Sequence, residues 1–240
     1  MIGIRIVLIS LALLLVLGAV GLVVAAPASL ACGLDNEADL RRLSDGTLID
    51  SASSVGDEST LVAMRRDGMA RIESAFGTMR AKPIVAVLGS IDTLRRWHFN
   101  EYASTSFLPW RTCIVIGPKG HSVDVIAHEL MHAELIARTG YWQRLVHIPT
   151  WFDEGVAMQV DLRTKYVLSD SDRQAGWPAA VRSLVSGRQF FTSDDHGLTR
   201  HYAAAKEEVA NWLRSVERKQ LFLLLDRIGS GENFSTLVPR

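Results

Sequence analysis

The sequence predicts an α+β fold: a small sheet with helices, one central helix, and a helical lobe towards the C-terminus. Apolar runs typical of buried strands occur at residues 83–88 and 112–116, and each is followed by a glycine-containing turn. A long helical pattern covers residues 121–140, and after Leu162 the chain is mostly helical with polar loops. We expect the principal cleft to lie between the sheet-bearing part and the helical lobe.

Shorter patterns predict the remaining elements and the division of the chain. They are a strand at 47–49, helices at 57–76 and 91–99, an amphipathic segment at 177–186, a loop at 193–200, and helices at 202–215 and 221–228. We divide the chain into an N-terminal membrane anchor or signal peptide at 1–28, a connecting segment at 29–56, and a folded domain at 57–240.

The central helix carries the pattern His-Glu-x-x-His in the segment HELMH. Residues four apart stack on one helix face, so His128 and His132 can direct both imidazoles at one point. Two imidazoles at this spacing make half of a tetrahedral zinc site. Glu129 lies beside them, where its carboxylate can take a proton from a metal-activated water. We expect Ser122 to cap this helix and Gly140 to end it.

A second helix should begin after Pro149, with Thr150 as its N-cap. Asp153 then occupies the position of a capping-box acid, whose side chain reaches back to the backbone. This assignment leaves Glu154, one turn into the helix, as the third metal ligand. Gly155 removes a side chain next to it, which would let this helix approach the central helix closely.

Together, HELMH and PTWFDEGVA resemble the gluzincin clan of zinc metallopeptidases, in particular the peptidase MA-like family. In that family, HExxH is followed after about twenty residues by Trp-x-x-Glu-Gly-x-Ala. The resemblance implies a zincin-like fold, Zn²⁺ as the cofactor, His128, His132 and Glu154 as its ligands, and Glu129 as the general base.

The resemblance covers residues 121–161 well, and residues 76–113 and 202–234 more loosely. It implies that the edge of the strand at 112–116 can bind an extended peptide through backbone pairing. It also implies an oxyanion donor, because related gluzincins supply a tyrosine or a histidine from the downstream lobe.

Tyr202 is our first candidate for this donor, ahead of His201, while Tyr141 and Tyr166 rank below both. We expect Tyr202 at the start of the helix at 202–215, with its side chain directed at the cleft. The alternative is a tyrosine that only packs over the end of that helix.

Other polar residues have simpler interpretations. Asp124 precedes His128 by one turn and could orient its imidazole, although an acid in the first turn of a helix is commonplace. The histidines outside the motif are expected to be surface or structural residues: His98, His121, His147, His196 and His201.

The expected function is therefore a zinc-dependent metallopeptidase that acts on a peptide or protein substrate. The alternative is a non-catalytic zincin-fold module that is tethered to the membrane and binds a peptide or a partner. The intact Glu129 argues against the alternative, because a structural zinc site needs no base. Basic and acidic residues number 26 each, which argues against a nucleic-acid-binding surface.

Residues 6–26 carry no charge and form a run longer than the usual core of a signal peptide. Arg5 precedes the run and Asp35, Glu37 and Asp39 follow it, so the positive-inside tendency places the N-terminus in the cytoplasm. The catalytic part then lies outside the cytoplasm. Residues 26–28 (Ala-Pro-Ala) form a possible cleavage site, so a membrane anchor and export after signal cleavage both stay open.

Cys32 and Cys113 are the only cysteines of the chain. Outside the cytoplasm they could pair, but a single possible pair does not make a disulfide framework. We expect Cys113 to be buried unpaired in a strand and Cys32 to be free.

Overall fold

One mixed five-stranded sheet forms the base of the fold, in a computed structural model that describes residues 32, 40–50, 57–96 and 99–239. The strands are β1 (Leu40–Arg42), β2 (Leu48–Asp50), β3 (Ile84–Val87), β4 (Ala103–Leu108) and β5 (Arg111–Ile116). Their spatial order is β1-β2-β3-β5-β4. The β2–β3 and β3–β5 pairs are parallel, and the two outer pairs are antiparallel.

Eleven α-helices occur in the described part of the chain. They are α1 (Glu58–Phe76), α2 (Ile91–Arg96), α3 (Val123–Thr139), α4 (Tyr141–Val146), α5 (Thr150–Ala157), α6 (Asp170–Gln174), α7 (Trp177–Ala180), α8 (Gly187–Phe191), α9 (Asp195–Val216), α10 (Leu221–Gly229) and α11 (Phe234–Leu237). The α+β class is confirmed, with α3 at the centre of the molecule. This helix packs against the sheet, α1, α5 and α10.

The ends of α3 are confirmed as predicted. The Ser122 hydroxyl accepts a hydrogen bond from the Val125 N–H at 3.2 Å, which satisfies a donor of the first turn. Gly140 ends the helix at a φ of 81°, a conformation that favours glycine. The helix at 57–76 is also confirmed, with Asp57 as its N-cap.

Alternation along β5 divides the core between the two faces of the sheet. Ile114 and Ile116 belong to the main core, which extends through α3 into the helical lobe. Val115 points to the other face, where it joins Leu88 and Leu94 in a small separate cluster beneath α2.

The prediction of a loop at 193–200 is wrong, because α9 already begins at Asp195. Asp194 caps the helix, and its carboxylate accepts from the Gly197 N–H at 2.7 Å. A first turn made of polar capping residues has the composition of a loop. Strands β1 and β4 were not predicted. The segment ASTSFL of β4 has no apolar run, and only its pairing with β5 makes it a strand.

The expectation of unpaired cysteines is wrong as well. Cys32 and Cys113 form a disulfide, with their Cα atoms 5.7 Å apart. The bond joins positions 81 residues apart, a distance at which no local pattern signals pairing. It attaches Cys32 to the middle of β5. Residues 40–42 and 48–50 of the expected connecting segment also belong to the sheet, as β1 and β2.

The uncharged run at 6–26, the possible cleavage site at 26–28 and His98 lie outside the described residues. Across the residues that the structure does describe, no helix combines the length and the apolar character that a membrane span requires.

Candidate metal centre

Helix α3 holds three polar side chains of the HELMH motif in a largely apolar interior. All three are buried, namely His128, Glu129 and His132, and most of their neighbours on α3 are apolar residues of the core. The helical spacing brings the two imidazoles together as predicted, with their Nε2 atoms 3.1 Å apart. Buried polar groups at this density need partners, so the arrangement points to a ligand-binding role.

Glu154 reaches the same point from α5. Its Oε2 atom lies 3.4 Å from Nε2 of His128 and 3.5 Å from Nε2 of His132. This buried oxygen has no hydrogen-bond partner in the described chain. His128, His132 and Glu154 therefore form a buried group that could hold a metal ion, and no other such group of three occurs among the described residues.

The spacing of the three atoms fits a small tetrahedral cation. With metal–nitrogen distances near 2.0–2.1 Å, two ligand atoms of a tetrahedral zinc site lie about 3.3–3.4 Å apart. The three observed separations of 3.1, 3.4 and 3.5 Å are close to that value. The residues present therefore fit a zinc ion.

Gly155 brings α5 close to α9. A Cβ atom at this position would lie 2.5 Å from the Ala205 carbonyl oxygen and 2.5 Å from a methyl group of Val209. The prediction that Gly155 serves contact with the central helix is therefore wrong. Because Gly155 allows α5 to lie against α9, it helps to fix the position of the neighbouring Glu154.

Asp153 is not a capping residue, and this prediction is corrected. The N-cap of α5 is Pro149, and no side chain caps the helix. Instead the Asp153 carboxylate accepts from Nδ1 of His132 at 2.9 Å and forms an ion pair with Arg144 of α4. A carboxylate on the far ring nitrogen fixes the orientation of the imidazole and leaves Nε2 free for a metal. The tertiary contact outweighs the local capping rule here.

Asp161 takes the corresponding position beside His128, and the sequence analysis missed it. One of its carboxylate oxygens lies 3.6 Å from Nδ1 of His128. Arg163 holds the same carboxylate through its Nε and Nη2 atoms. Asp124, considered for this role, instead pairs with Arg71 and accepts from the Leu162 N–H. Asp161 follows α5 in a loop, so no helical spacing relates it to His128.

The charges around the two imidazoles favour a cation between them. Burial alone would lower the pKa of His132, but the Asp153 and Glu154 carboxylates raise it well above its usual value. Burial likewise opposes ionisation of Glu154, yet the positive charges of the His132 and His128 imidazoles hold the pKa of Glu154 well below its usual range. Without a metal, protons on the imidazoles supply the positive charge that the carboxylates require.

Glu129 is held next to the metal-binding group by the edge strand. The Thr105 hydroxyl of β4 donates to Oε2 of Glu129 at 2.6 Å. The buried Glu129 side chain also lines the main cleft. Its carboxylate is thereby oriented towards the space in which a substrate would lie, as a general base requires.

The main cleft has a volume of about 770 Å³ and lies between β4 and α9. Residues of β4, His128, Glu129, His132 and Glu154 line it together with Tyr202. The strand that borders the cleft is the edge strand β4, whereas β5 lies between β3 and β4. The prediction that the strand at 112–116 offers a free edge is therefore wrong, because β5 has no free edge.

Tyr202 lies two turns inside α9, not at its start. Its ring centroid is 6.2 Å from that of His128, which places the phenol within the cleft. Burial, together with the nearby charge of Glu154, raises the pKa of Tyr202 well above its usual value, so the hydroxyl stays protonated and can donate. In the described chain this hydroxyl makes no hydrogen bond, which leaves it available to a ligand.

The other candidate donors have different surroundings. Nδ1 of His201 lies 2.7 Å from the Phe190 carbonyl oxygen, to which it donates, and its ring stacks near Trp177. Tyr141 packs against Phe107 and lines a second cavity. Tyr166 lines the main cleft, with its ring 5.4 Å from that of Tyr202.

Comparison with known proteins adds no assignment. No family profile matches the chain, and no curated protein is significantly similar to it.

Proposed function

We propose that the protein is a zinc-dependent metallopeptidase of the gluzincin type, with a zincin-like fold. The observation that carries the proposal is the convergence of Nε2 of His128, Nε2 of His132 and Oε2 of Glu154 beside Glu129 at the floor of a cleft. Three protein ligands around an open position are typical of catalytic zinc, whereas structural zinc sites have four.

In this proposal His128, His132 and Glu154 hold Zn²⁺, which when bound supplies Lewis acidity to the scissile carbonyl and acidifies water. Glu129 accepts the proton of the attacking water and delivers it to the leaving amine. Thr105 keeps the Glu129 carboxylate aimed at the cleft. The Tyr202 hydroxyl donates a hydrogen bond to the oxyanion of the tetrahedral intermediate.

The test is metal analysis combined with a peptide-library cleavage assay on the purified full-length chain. We expect about one equivalent of zinc and cleavage of peptides by the parent protein. Glu129→Gln should keep its zinc but lose about 10²–10⁴-fold in activity, because the amide has the size of the acid without its basicity. A parent protein that binds zinc but cleaves no peptide in a broad library would support the non-catalytic binding module instead.

We also propose that the domain lies outside the cytoplasm, held to the membrane by residues 6–26. The length of this uncharged run supports an anchor, and the Cys32–Cys113 disulfide supports an oxidising compartment. A C-terminal reporter that is active only in the cytoplasm should stay silent. N-terminal sequencing of the membrane fraction tests the anchor, because cleavage near residues 26–28 would yield a shortened chain and contradict it.

A further inference from the structure

Helix α4 presents an apolar face to which no other part of the described chain is packed. None of its six residues is buried. Trp142, Leu145 and Val146 are three and four positions apart and so share one side of the helix. Trp142 is 68% exposed and Val146 is 65% exposed. Three large apolar side chains on one side of a single short helix form a patch that water solvates poorly.

The turn between β4 and β5 extends this patch. Trp110 lies in the turn and is 75% exposed. The turn and the start of α4 are neighbours, because Pro109, Trp110, Gly140 and Tyr141 all line a second cavity of about 480 Å³. We call Trp110, Trp142, Leu145 and Val146 the apolar face.

The charges beside the apolar face are basic. Lys82 and Arg111 line the second cavity, and none of the described residues that line it is acidic. Basic side chains next to exposed tryptophan and leucine are typical of surfaces that contact lipid headgroups and the upper acyl region.

The disulfide places Cys32, which follows the N-terminal run in the sequence, close to this face. Cys32 is bonded to Cys113 of β5, and the Cys32 carbonyl oxygen accepts from Nη1 of Arg111 at 3.3 Å. Arg111 directly follows Trp110 in the chain. The uncharged run ends at Ala26, six residues before Cys32, and six extended residues span at most about 20 Å. The end of an anchor at 6–26 therefore cannot be far from the β4–β5 turn.

We infer that the apolar face docks on the lipid bilayer that holds residues 6–26, with Trp110 and Trp142 at the membrane–water interface. The inference rests on the anchor proposed above, and it is independent of the zinc chemistry. It fixes the orientation of the domain: the β4–β5 turn and α4 rest on the lipid, while the α3 N-terminus points away from it.

The test uses the full-length chain in phosphatidylcholine nanodiscs. Both native cysteines are in the disulfide, so Val146→Cys offers a single thiol for an environment-sensitive fluorophore. We expect a blue-shifted emission that is quenched by doxyl-labelled lipid and protected from aqueous iodide. The matched control is Leu162→Cys. Leu162 is 61% exposed and lies beside Asp124 at the other end of the 17-residue α3, about 25 Å away, so its label should stay accessible to iodide.

Three results would overturn the inference. The first is equal quenching of the labels at positions 146 and 162. The second is protection of the position 146 label from iodide without quenching by doxyl lipid, which would place a protein, such as a second copy of this chain, on the face. The third is a chain that does not remain with the nanodiscs.

A second variant separates docking from simple proximity. This variant is the labelled Val146→Cys protein with three further changes: Trp110→Gln, Trp142→Gln and Leu145→Gln. We expect it to show no lipid quenching. The melting temperature should stay near the parent value, because none of these side chains is buried. Lipid quenching that persists in this variant would show that the face does not hold the domain on the bilayer. Zinc content and peptide cleavage measured on the same samples keep the outcome separate from the proposed activity.

Discussion

Helices α3 and α4 are separated only by Gly140, yet their surroundings are opposite. Most residues of α3 are buried, including the two histidines and the glutamate of its motif, whereas no residue of α4 is buried. In α3, polar groups lie where apolar ones would be expected, and in α4 apolar groups lie where polar ones would be expected. Each inversion opposes the usual stability rule, as we expect of a surface that serves a ligand or a partner.

Arg144 connects the two helices. Its side chain extends from α4 and pairs with Asp153, which in turn binds His132 of α3. The position of α4 and the orientation of one proposed metal ligand are thereby linked through two side chains.

The largest expected effect concerns the polar residues of α3. His132→Ala removes one of the two imidazoles and should abolish zinc retention after dialysis, together with activity. Metal analysis by mass spectrometry checks this. The matched control is His147→Ala, an exposed histidine outside the metal-binding group, which should retain about one zinc equivalent. Full zinc occupancy of the His132 variant would remove this residue from the site.

A smaller effect is expected on the opposite wall of the cleft. Tyr202→Phe should lower turnover by roughly a hundredfold while zinc content stays unchanged, because only the oxyanion donor is lost. Steady-state kinetics on a cleaved peptide measures the effect. Tyr141→Phe is the control and should retain the parent rate, since this tyrosine lines only the second cavity. Equal turnover in the parent and the Tyr202 variant would exclude the phenol from the mechanism.

Zinc removal should destabilise the protein more strongly as the pH rises. In the metal-free protein the carboxylates overcome the opposing effect of burial and raise the pKa of His132, so its protonated form stabilises the fold. This contribution is complete below the unfolded pKa of about 6.5 and is lost as the pH rises through the raised folded value. Zinc requires neutral imidazoles, so the affinity of the protein for zinc increases as the pH rises.

The difference in Tm between zinc-bound and chelator-treated protein should therefore widen above about pH 6.5. Calorimetry at several pH values checks this. A difference that is constant or shrinks with pH would contradict the coupling between His132 and the metal.

The smallest effect is expected on α4. Leu135→Ala in α3 removes a fully buried side chain and should lower the free energy of unfolding by about 2–5 kcal/mol. The same change at the exposed Leu145 of α4 should cost about 0.5 kcal/mol or less. Denaturant titration of both variants measures the contrast. A loss at Leu145 as large as that at Leu135 would show that α4 is packed against the domain.

Features set by local spacing could be predicted from the sequence. The caps of α3 and the meeting of His128 with His132 depend on helix periodicity alone. The position of Glu154 beside them was predicted from its motif. The residues that support the ligands and Glu129 could not be found in this way. Thr105 lies in an edge strand that has no apolar run, and Asp161 lies in a loop.

Two errors show how tertiary contacts override local rules. Asp153 has the spacing of a capping acid, but it binds His132 and Arg144 instead. Cys113 has the apolar neighbours of a buried thiol, but the fold places Cys32 against it. In both residues the partner is remote in sequence, and no periodic pattern encodes the contact.

The most direct test of the metal centre is X-ray absorption spectroscopy at the zinc edge on the full-length protein. We predict about one zinc per chain, with two imidazole nitrogens and oxygen ligands at about 2.0–2.1 Å. Loss of the signal in His132→Ala would assign one of these nitrogens. A chain that takes up no zinc from zinc-buffered solution, or a zinc spectrum without two imidazoles, would contradict the proposed centre.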